Sequence, residues 1–325
     1  MSRKALLIGI NSYPGCPLYG CLEDIESLDS RLASNGDGSV NFSVRKLPDE
    51  RSSGTAMDAI QELFSGDSDV ALLYFSGHGF ANSIGAQLVF PDDLCGRSYQ
   101  KGIQMSDIMS VVDKSKVKNK IVILDCCHSG AIGDNRINDS GSHLEHGVTI
   151  MTACRKDETA AEMGGHGLFT ELLCSALDGG AADYCGNITV GGIYSYIDKA
   201  LGPWEQRPIF KTNVSEFVPI RTVEPKISKK TIRQLTKLFA FPDEEFALNP
   251  SFEFTNDEGY IVEKRKPYAN QDNVQVFKTL QELQSIGFVE PVGEEHMYFA
   301  AMNSKSCRLT ELGKYYWRLV SSKRF

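Results

Sequence analysis

The first two-thirds of this chain predict an α/β fold, a mostly parallel sheet with helices on both faces, and three observations carry that expectation. Short apolar runs alternate with helical periodicities from residue 5 to about residue 201. Two of the runs, Asp-Val-Ala-Leu-Leu-Tyr-Phe at 69–75 and Lys-Ile-Val-Ile-Leu at 120–124, are apolar nearly throughout, as strands covered on both faces must be. Both runs end in reactive turns: Ser76-Gly77-His78-Gly79 closes the first, and Asp125-Cys126-Cys127-His128-Ser129-Gly130 closes the second. Ligands of such sheets collect beyond the carboxyl ends of the strands. A thiol and an imidazole therefore stand where chemistry is expected.

Taken in order, residues 5–10 (Ala-Leu-Leu-Ile-Gly-Ile) form the first strand. A loop through Tyr13-Pro14-Gly15 leads to a helix over 22–32, with Leu22, Ile25, Leu28 and Leu32 on one face. A strand at 42–47 alternates apolar and polar residues, and 55–64 is helical. The histidine strand (69–76), a short strand at 87–90, a helix at 105–112 and the cysteine strand (120–126) follow. After a polar loop over 131–146 come a strand at 148–153 and helices near 167–177 and 189–201.

The polar, proline-containing segment 221–230 reads as a linker, which gives two domains, 1–222 and 223–325. Beyond it, 231–239 and 274–286 have helical patterns. Segments 287–292 and 296–302 read as a hairpin across Gly293-Glu294-Glu295, and 309–320 is a last helix. Two helices, a two-stranded wing and a closing helix resemble a winged-helix domain, a small α+β fold.

Hydrophobic residues at 42% and charged residues at 23% describe an ordinary globular chain. No apolar run approaches the ~18 residues of a membrane span, and the amino terminus enters a strand without a cleavable signal pattern. Nine cysteines without zinc-ligand spacing read as reduced thiols in a cytoplasm. From Lys226 onward 15 Lys+Arg face 13 Asp+Glu, so a net charge of −10 falls on the earlier residues. An acidic first domain disfavours nucleic acid and favours a basic substrate.

A thiol becomes a nucleophile near neutral pH when an imidazole takes its proton, so His78 and Cys127 are the candidate catalytic pair. Backbone N–H groups of Gly79 and Cys127 are candidates for holding a developing oxyanion. Strand alternation sends Asp125 to the side of Cys127 and Ser76 to the side of His78, and turns Cys126 into the opposite face as a core thiol. His128 points away from Cys127. Nothing in the sequence identifies a third group orienting His78, so the expectation is a dyad.

These residues resemble the caspase-like clan of cysteine peptidases, and metacaspases and bacterial caspase homologues in particular. The resemblance covers about residues 3–217. It runs through Asn11-Ser-Tyr13, Leu18-Tyr-Gly-Cys-Leu-Glu-Asp24, the two reactive turns, Met151-Thr-Ala-Cys154, Glu158-Thr-Ala-Ala-Glu162, His166-Gly-Leu-Phe-Thr170 and Gln206-Arg-Pro208. It implies Cys127 as the nucleophile and a specificity pocket made of Asp24, Ser76 and Asp125. Two carboxylates and a hydroxyl there imply protein or peptide substrates with Arg or Lys before the cut. Helix capping by Asp24 or Asp125, and a plain turn role for Ser76, stand as alternative readings. Many metacaspases carry an acidic calcium site, but the loop 80–86 holds no carboxylate. Asp92, Asp93, Asp107 and Asp134 remain as possible calcium ligands, but a hard-cation site needs about 6–8 oxygens, so no cofactor is expected. Arg136, then Lys229 or Lys230, are the candidate self-cleavage sites.

The resemblance further implies gating by a small nucleotide-type activator or a regulatory protein, and a role as an effector of bacterial antiviral defence. The rival expectation is a non-enzymatic scaffold of the same fold, or a DNA-binding regulator using the carboxy-terminal domain. Nucleic acid is not expected there, because the only dense basic run is Lys264-Arg265-Lys266.

Overall fold

The computed structural model of the chain describes residues 2–82, 85–95, 98–99, 102–126, 144–153, 162–163, 166–201, 208–261 and 263–325. The chain divides into two compact units, Met1–Glu224 and Pro225–Phe325.

The first unit is organised by a six-stranded sheet: β1 (Arg3–Gly9), β2 (Ser43–Pro48), β3 (Val70–Ser76), β4 (Asn119–Asp125), β5 (Val148–Thr152) and β6 (Ile209–Asn213). The strand order is β6-β5-β4-β3-β1-β2. Every neighbouring pair is parallel except β5 and β6, which run antiparallel. The chain steps from β1 outward to β2 and then back across β1 to β3, so the order reverses at β1 and β3. That reversal opens a crevice beyond their carboxyl ends.

Side-chain alternation sorts the sheet into two cores. Leu6, Ile8, Leu73, Phe75, Val122 and Leu124 pack with α2 (Ser53–Leu63) and α3 (Met105–Lys114) on one face. Ala5, Leu7, Leu72, Tyr74, Ile121 and Ile123 pack with α1 (Cys21–Leu32), α4 (Leu168–Ser175) and α5 (Val190–Ala200) on the other. Cys126 continues the first face and is buried in its core. Ser76 and Asp125 continue the second. Ser52 starts α2 by accepting from Thr55 N at 3.4 Å, and Thr189 starts α5 by accepting from Gly192 N at 3.1 Å.

Past β3 the chain makes a hairpin, Gly79–Asn82 against Gly85–Leu88, to which Ile103–Gln104 adds a third short strand. The second strand of that hairpin starts two residues earlier than the periodicity at 87–90 indicates.

The second unit holds a three-stranded antiparallel sheet, β7 (Glu245–Ala247), β8 (Val289–Val292) and β9 (Ser306–Leu309), in the order β7-β9-β8. Its helices include α6 (Gln271–Ser285), α7 (Met297–Met302) and α8 (Glu311–Ser321). Two sequence expectations change here. The helix expected at 231–239 is two short pieces, Lys229–Ile232 and Leu235–Leu238. The expected strand at 296–302 is α7, and β8 pairs instead with β9. Met297, Ala300 and Ala301 are buried at helical i, i+3, i+4 spacing, which outweighs the strand preference of Tyr298 and Phe299. Ser304, in the left-handed region at φ 52°, then turns the chain into β9. No helix among the described residues is long and apolar enough to cross a membrane.

Gly9 ends β1 directly beneath the start of α1, and a Cβ there would collide with the carbonyl oxygen of Cys21. Gly9→Ala is expected to cost about 1–3 kcal/mol, the usual range for overpacking, read as a lowered urea midpoint in the circular dichroism of the full chain.

Candidate active site

Parallel register builds the floor of the site. Ser76 is the partner of Asp125 across β3 and β4, and of Gly9 across β3 and β1. Gly9 leads through a short loop to α1, whose first turn carries Asp24. Ser76 Oγ donates to Asp24 Oδ2 at 2.9 Å. Thr170, on α4, donates its hydroxyl to Asp125 Oδ2 at 2.7 Å and lies 2.6 Å from the hydroxyl of Tyr74. Asp24, Ser76 and Asp125 are 2%, 3% and 8% exposed, so the two carboxylates sit in a largely desolvated place. The helix-capping reading of Asp24 gives way: the N-cap of α1 is Gly20, with no side-chain cap, and Asp24 is bonded to Ser76 instead.

The electrostatics of neighbouring groups register both carboxylates. Burial pushes the Cys21 thiol up to about 12, against a hydrogen bond with Ser76 that lowers it, and the fields of Asp24 and Asp125 add to the rise. Burial, then the fields of Asp125 and Asp24, hold the Tyr74 phenol well above its ordinary value. Cys21, Tyr74 and Thr170 thus lie close to the two carboxylates. Sequence reasoning gave none of the three a role, although Cys21 and Thr170 lie inside the motif blocks.

His78 is gripped from one loop. Its Nε2 lies 2.9 Å from the carbonyl oxygen of Cys16. A carbonyl only accepts, so Nε2 carries the proton and Nδ1 is left as the basic ring position. The His78 backbone N donates to the Tyr13 hydroxyl at 3.0 Å, and that hydroxyl donates to the Val89 carbonyl at 3.0 Å. The Tyr13 and His78 rings lie 4.5 Å apart. Gly77 makes this approach available, since a Cβ there would lie 2.5 Å from the Tyr13 hydroxyl. Asp49, at φ 48°, holds the loop by accepting from Asn11 N at 2.7 Å, Ser12 N at 2.9 Å and Ser12 Oγ at 2.9 Å. Those three bonds outweigh burial and leave its carboxyl below the usual carboxylate range. The third group at His78 is thus a main-chain carbonyl, which has no side-chain signature to be read from a sequence.

Gly79 opens the hairpin strand immediately after His78, opposite Leu88. Cys127, His128 and Arg136, together with Asp134, Gln206 and Arg207, lie outside the described residues. Of the residues offered to calcium, Asp92 pairs with Arg51 at 2.8 Å and Asp93 accepts from Ser53 Oγ at 2.9 Å. Among the described residues no cluster of three or more His, Cys, Asp or Glu is placed to hold a metal ion.

A family model described as the caspase domain matches residues 2–218. Among solved structures, a protein from Geobacter sulfurreducens superposes with a TM-score of 0.50 at 17% identity, over 69% of this chain and 100% of its own. Caspase-1 from Spodoptera frugiperda superposes with a TM-score of 0.50 at 15% identity, over 69% of this chain and 91% of its own. At those identities the likeness is one of fold. No curated protein matches the chain in sequence.

The raised thiol of Cys21 has a measurable consequence. Its folded-state pKa lies above the unfolded one, so its stabilising contribution is complete below the ordinary thiol value and is lost as pH climbs toward about 12. At about pH 8 both Cys21 and Cys174, the latter pushed up to about 11 by burial, are expected to resist iodoacetamide in the native protein and to react in urea. Peptide mapping by mass spectrometry reads the difference, and equal labelling in both states would contradict the buried placement.

Proposed function

Since the chain belongs to the caspase-domain family, we propose that it is a cysteine endopeptidase cutting proteins after Arg or Lys, with His78 and Cys127 as its catalytic pair. The observation that supports this specificity is that Asp24 is bonded to Ser76, and Ser76 is the register partner of Asp125, with all three buried at the ends of β3 and β4 and the first turn of α1. A guanidinium offers five donors in a fixed fork and satisfies two carboxylates far better than any neutral side chain would. An acidic side chain would meet like charges there, which excludes cleavage after Asp.

In this reading His78 Nδ1 takes the proton of Cys127, and the thiolate attacks the carbonyl carbon of the basic residue itself. Backbone N–H groups of Gly79 and Cys127 hold the oxyanion. Collapse of the tetrahedral species forms a thioester and expels the amine, which leaves with the proton from His78. Water, deprotonated by the same ring, hydrolyses the thioester and frees the thiol. The bond from Nε2 to the Cys16 carbonyl supports this assignment by fixing the ring and its tautomer.

The carboxy-terminal unit is assigned a regulatory role, with a nucleotide-type ligand or a protein partner releasing the peptidase; an antiviral effector role follows the family resemblance. Two of the three cations in its dense basic run are engaged internally, which argues against DNA as the partner. Lys264 Nζ donates to the carbonyls of Thr255 at 3.0 Å and Tyr260 at 2.7 Å, and Arg265 binds Asn303 and Glu263.

Fluorogenic peptides ending in Arg, Lys or Asp are expected to separate into cleaved, cleaved and uncleaved. His78→Ala should lower kcat/KM by about 10²–10⁴-fold, and Cys127→Ala, which removes the nucleophile, by about 10⁶-fold. Asp24→Asn and Asp125→Asn should each raise KM for the arginine peptide about 30-fold or more. Cleavage of the Asp peptide alone would overturn the pocket assignment.

A further inference from the structure

The pocket holds one polar side chain whose presence packing does not explain. Thr170 lies on α4, an apolar helix whose Phe169, Leu173 and Cys174 are buried in the core beneath the sheet. It is itself 2% exposed. A valine would fill the same volume without burying a hydroxyl, and an unsatisfied hydroxyl there would be costly. The hydroxyl is satisfied at both ends, 2.7 Å from Asp125 Oδ2 and 2.6 Å from the Tyr74 hydroxyl.

The direction of these bonds follows from counting protons. Thr170 has a single hydroxyl hydrogen, and an ionised carboxylate can only accept, so that hydrogen is spent on Asp125. The Tyr74 hydroxyl must then donate to Thr170. Tyr74 is fully buried and its phenol is held well above its ordinary value, so its hydrogen is permanently available. Three oxygens from β3, α4 and β4 form a chain of donors ending on Oδ2. Tyr74 stands two residues before Ser76 on the same strand face, so this chain lies directly under the Ser76–Asp24 pair.

We propose that Thr170, itself fixed by Tyr74, is a positioning residue that sets the plane of the Asp125 carboxylate and thereby makes the pocket prefer a guanidinium over an ammonium. The inference rests on the acidic-pocket reading above and deepens it. A guanidinium forms two parallel bonds only with a carboxylate held in its plane. An ammonium is a compact charge with rotatable donors and tolerates any orientation. Loss of the Thr170 bond leaves the charge of Asp125 in place while removing the hydroxyl that orients its Oδ2. Arginine recognition suffers from that change, and lysine recognition does not.

The test uses the full chain carrying Cys127→Ala, titrated calorimetrically with acetyl-argininamide and acetyl-lysinamide, so that neither turnover nor the nucleophile enters the measurement. Thr170→Val is expected to weaken the arginine compound about tenfold and the lysine compound within about twofold. Thr170→Ser is expected to restore the arginine preference, and Tyr74→Phe to weaken it in the same direction. Thermal unfolding of each variant separates loss of the fold from loss of the preference, and should Thr170→Val fail to fold, Tyr74→Phe against the parent decides. If Thr170→Val weakens both compounds equally, or neither, the acidic pocket stands and the role of Thr170 falls. If the parent binds neither compound, the acidic-pocket reading fails and this inference falls with it.

Discussion

The pairing of Ser76 with Asp125 across two neighbouring parallel strands is the constraint on which the rest of the site depends. A shift of one residue in that register would send one of the two side chains into the opposite core, among the apolar residues under α2 and α3. With the register as it is, both point toward α1 and α4, where Asp24 and Thr170 meet them. Buried carboxylates are costly unless bonded, and here each accepts a hydroxyl hydrogen supplied by a neighbouring element. The sheet thus does more than support the pocket. It selects which polar groups share it.

The histidine side of the crevice is built differently. One loop between β1 and α1 supplies the Cys16 carbonyl, the Tyr13 ring and the Tyr13 hydroxyl, and Asp49 at the end of β2 holds that loop by three bonds. Because β1 lies between β2 and β3, the loop and its anchor flank the His78 turn. Orientation of the ring therefore comes from a main-chain carbonyl together with the Tyr13 side chain on a braced turn, and the carbonyl contact does not depend on the side chain at position 16.

In the second unit, local preference and long-range packing disagree. Segment 296–302 reads as a strand when its aromatic residues are weighed, yet folds as α7 because Met297, Ala300 and Ala301 find the core at helical spacing. The pairing partner of β8 then comes from 306–309, residues whose strand character is visible only once β7 and β8 lie on either side. The basic run Lys264-Arg265-Lys266 looks like a surface patch in sequence, while in the fold two of its three cations brace a loop.

Much was legible in the chain alone. Nearly unbroken apolar runs at 69–75 and 120–124, too short for typical helices and rich in β-branched and aromatic residues, point to strands buried on both faces, and the alternation of strand and helix points to a parallel sheet. The reactive turns that end those runs are likewise written in the local sequence. Their partners are not. Asp24 meets Ser76 across 52 positions of sequence, Thr170 meets Asp125 across 45, and His78 meets the Cys16 carbonyl across 62. Contacts at such separation depend on which strand lies beside which and on how helices cross the sheet, and the decisive group at His78 is a backbone atom common to every residue. Local pattern therefore determined the strands of the main sheet and the turns that end them, whereas only the tertiary arrangement decided which side chains meet Ser76 and Asp125 and what holds the histidine.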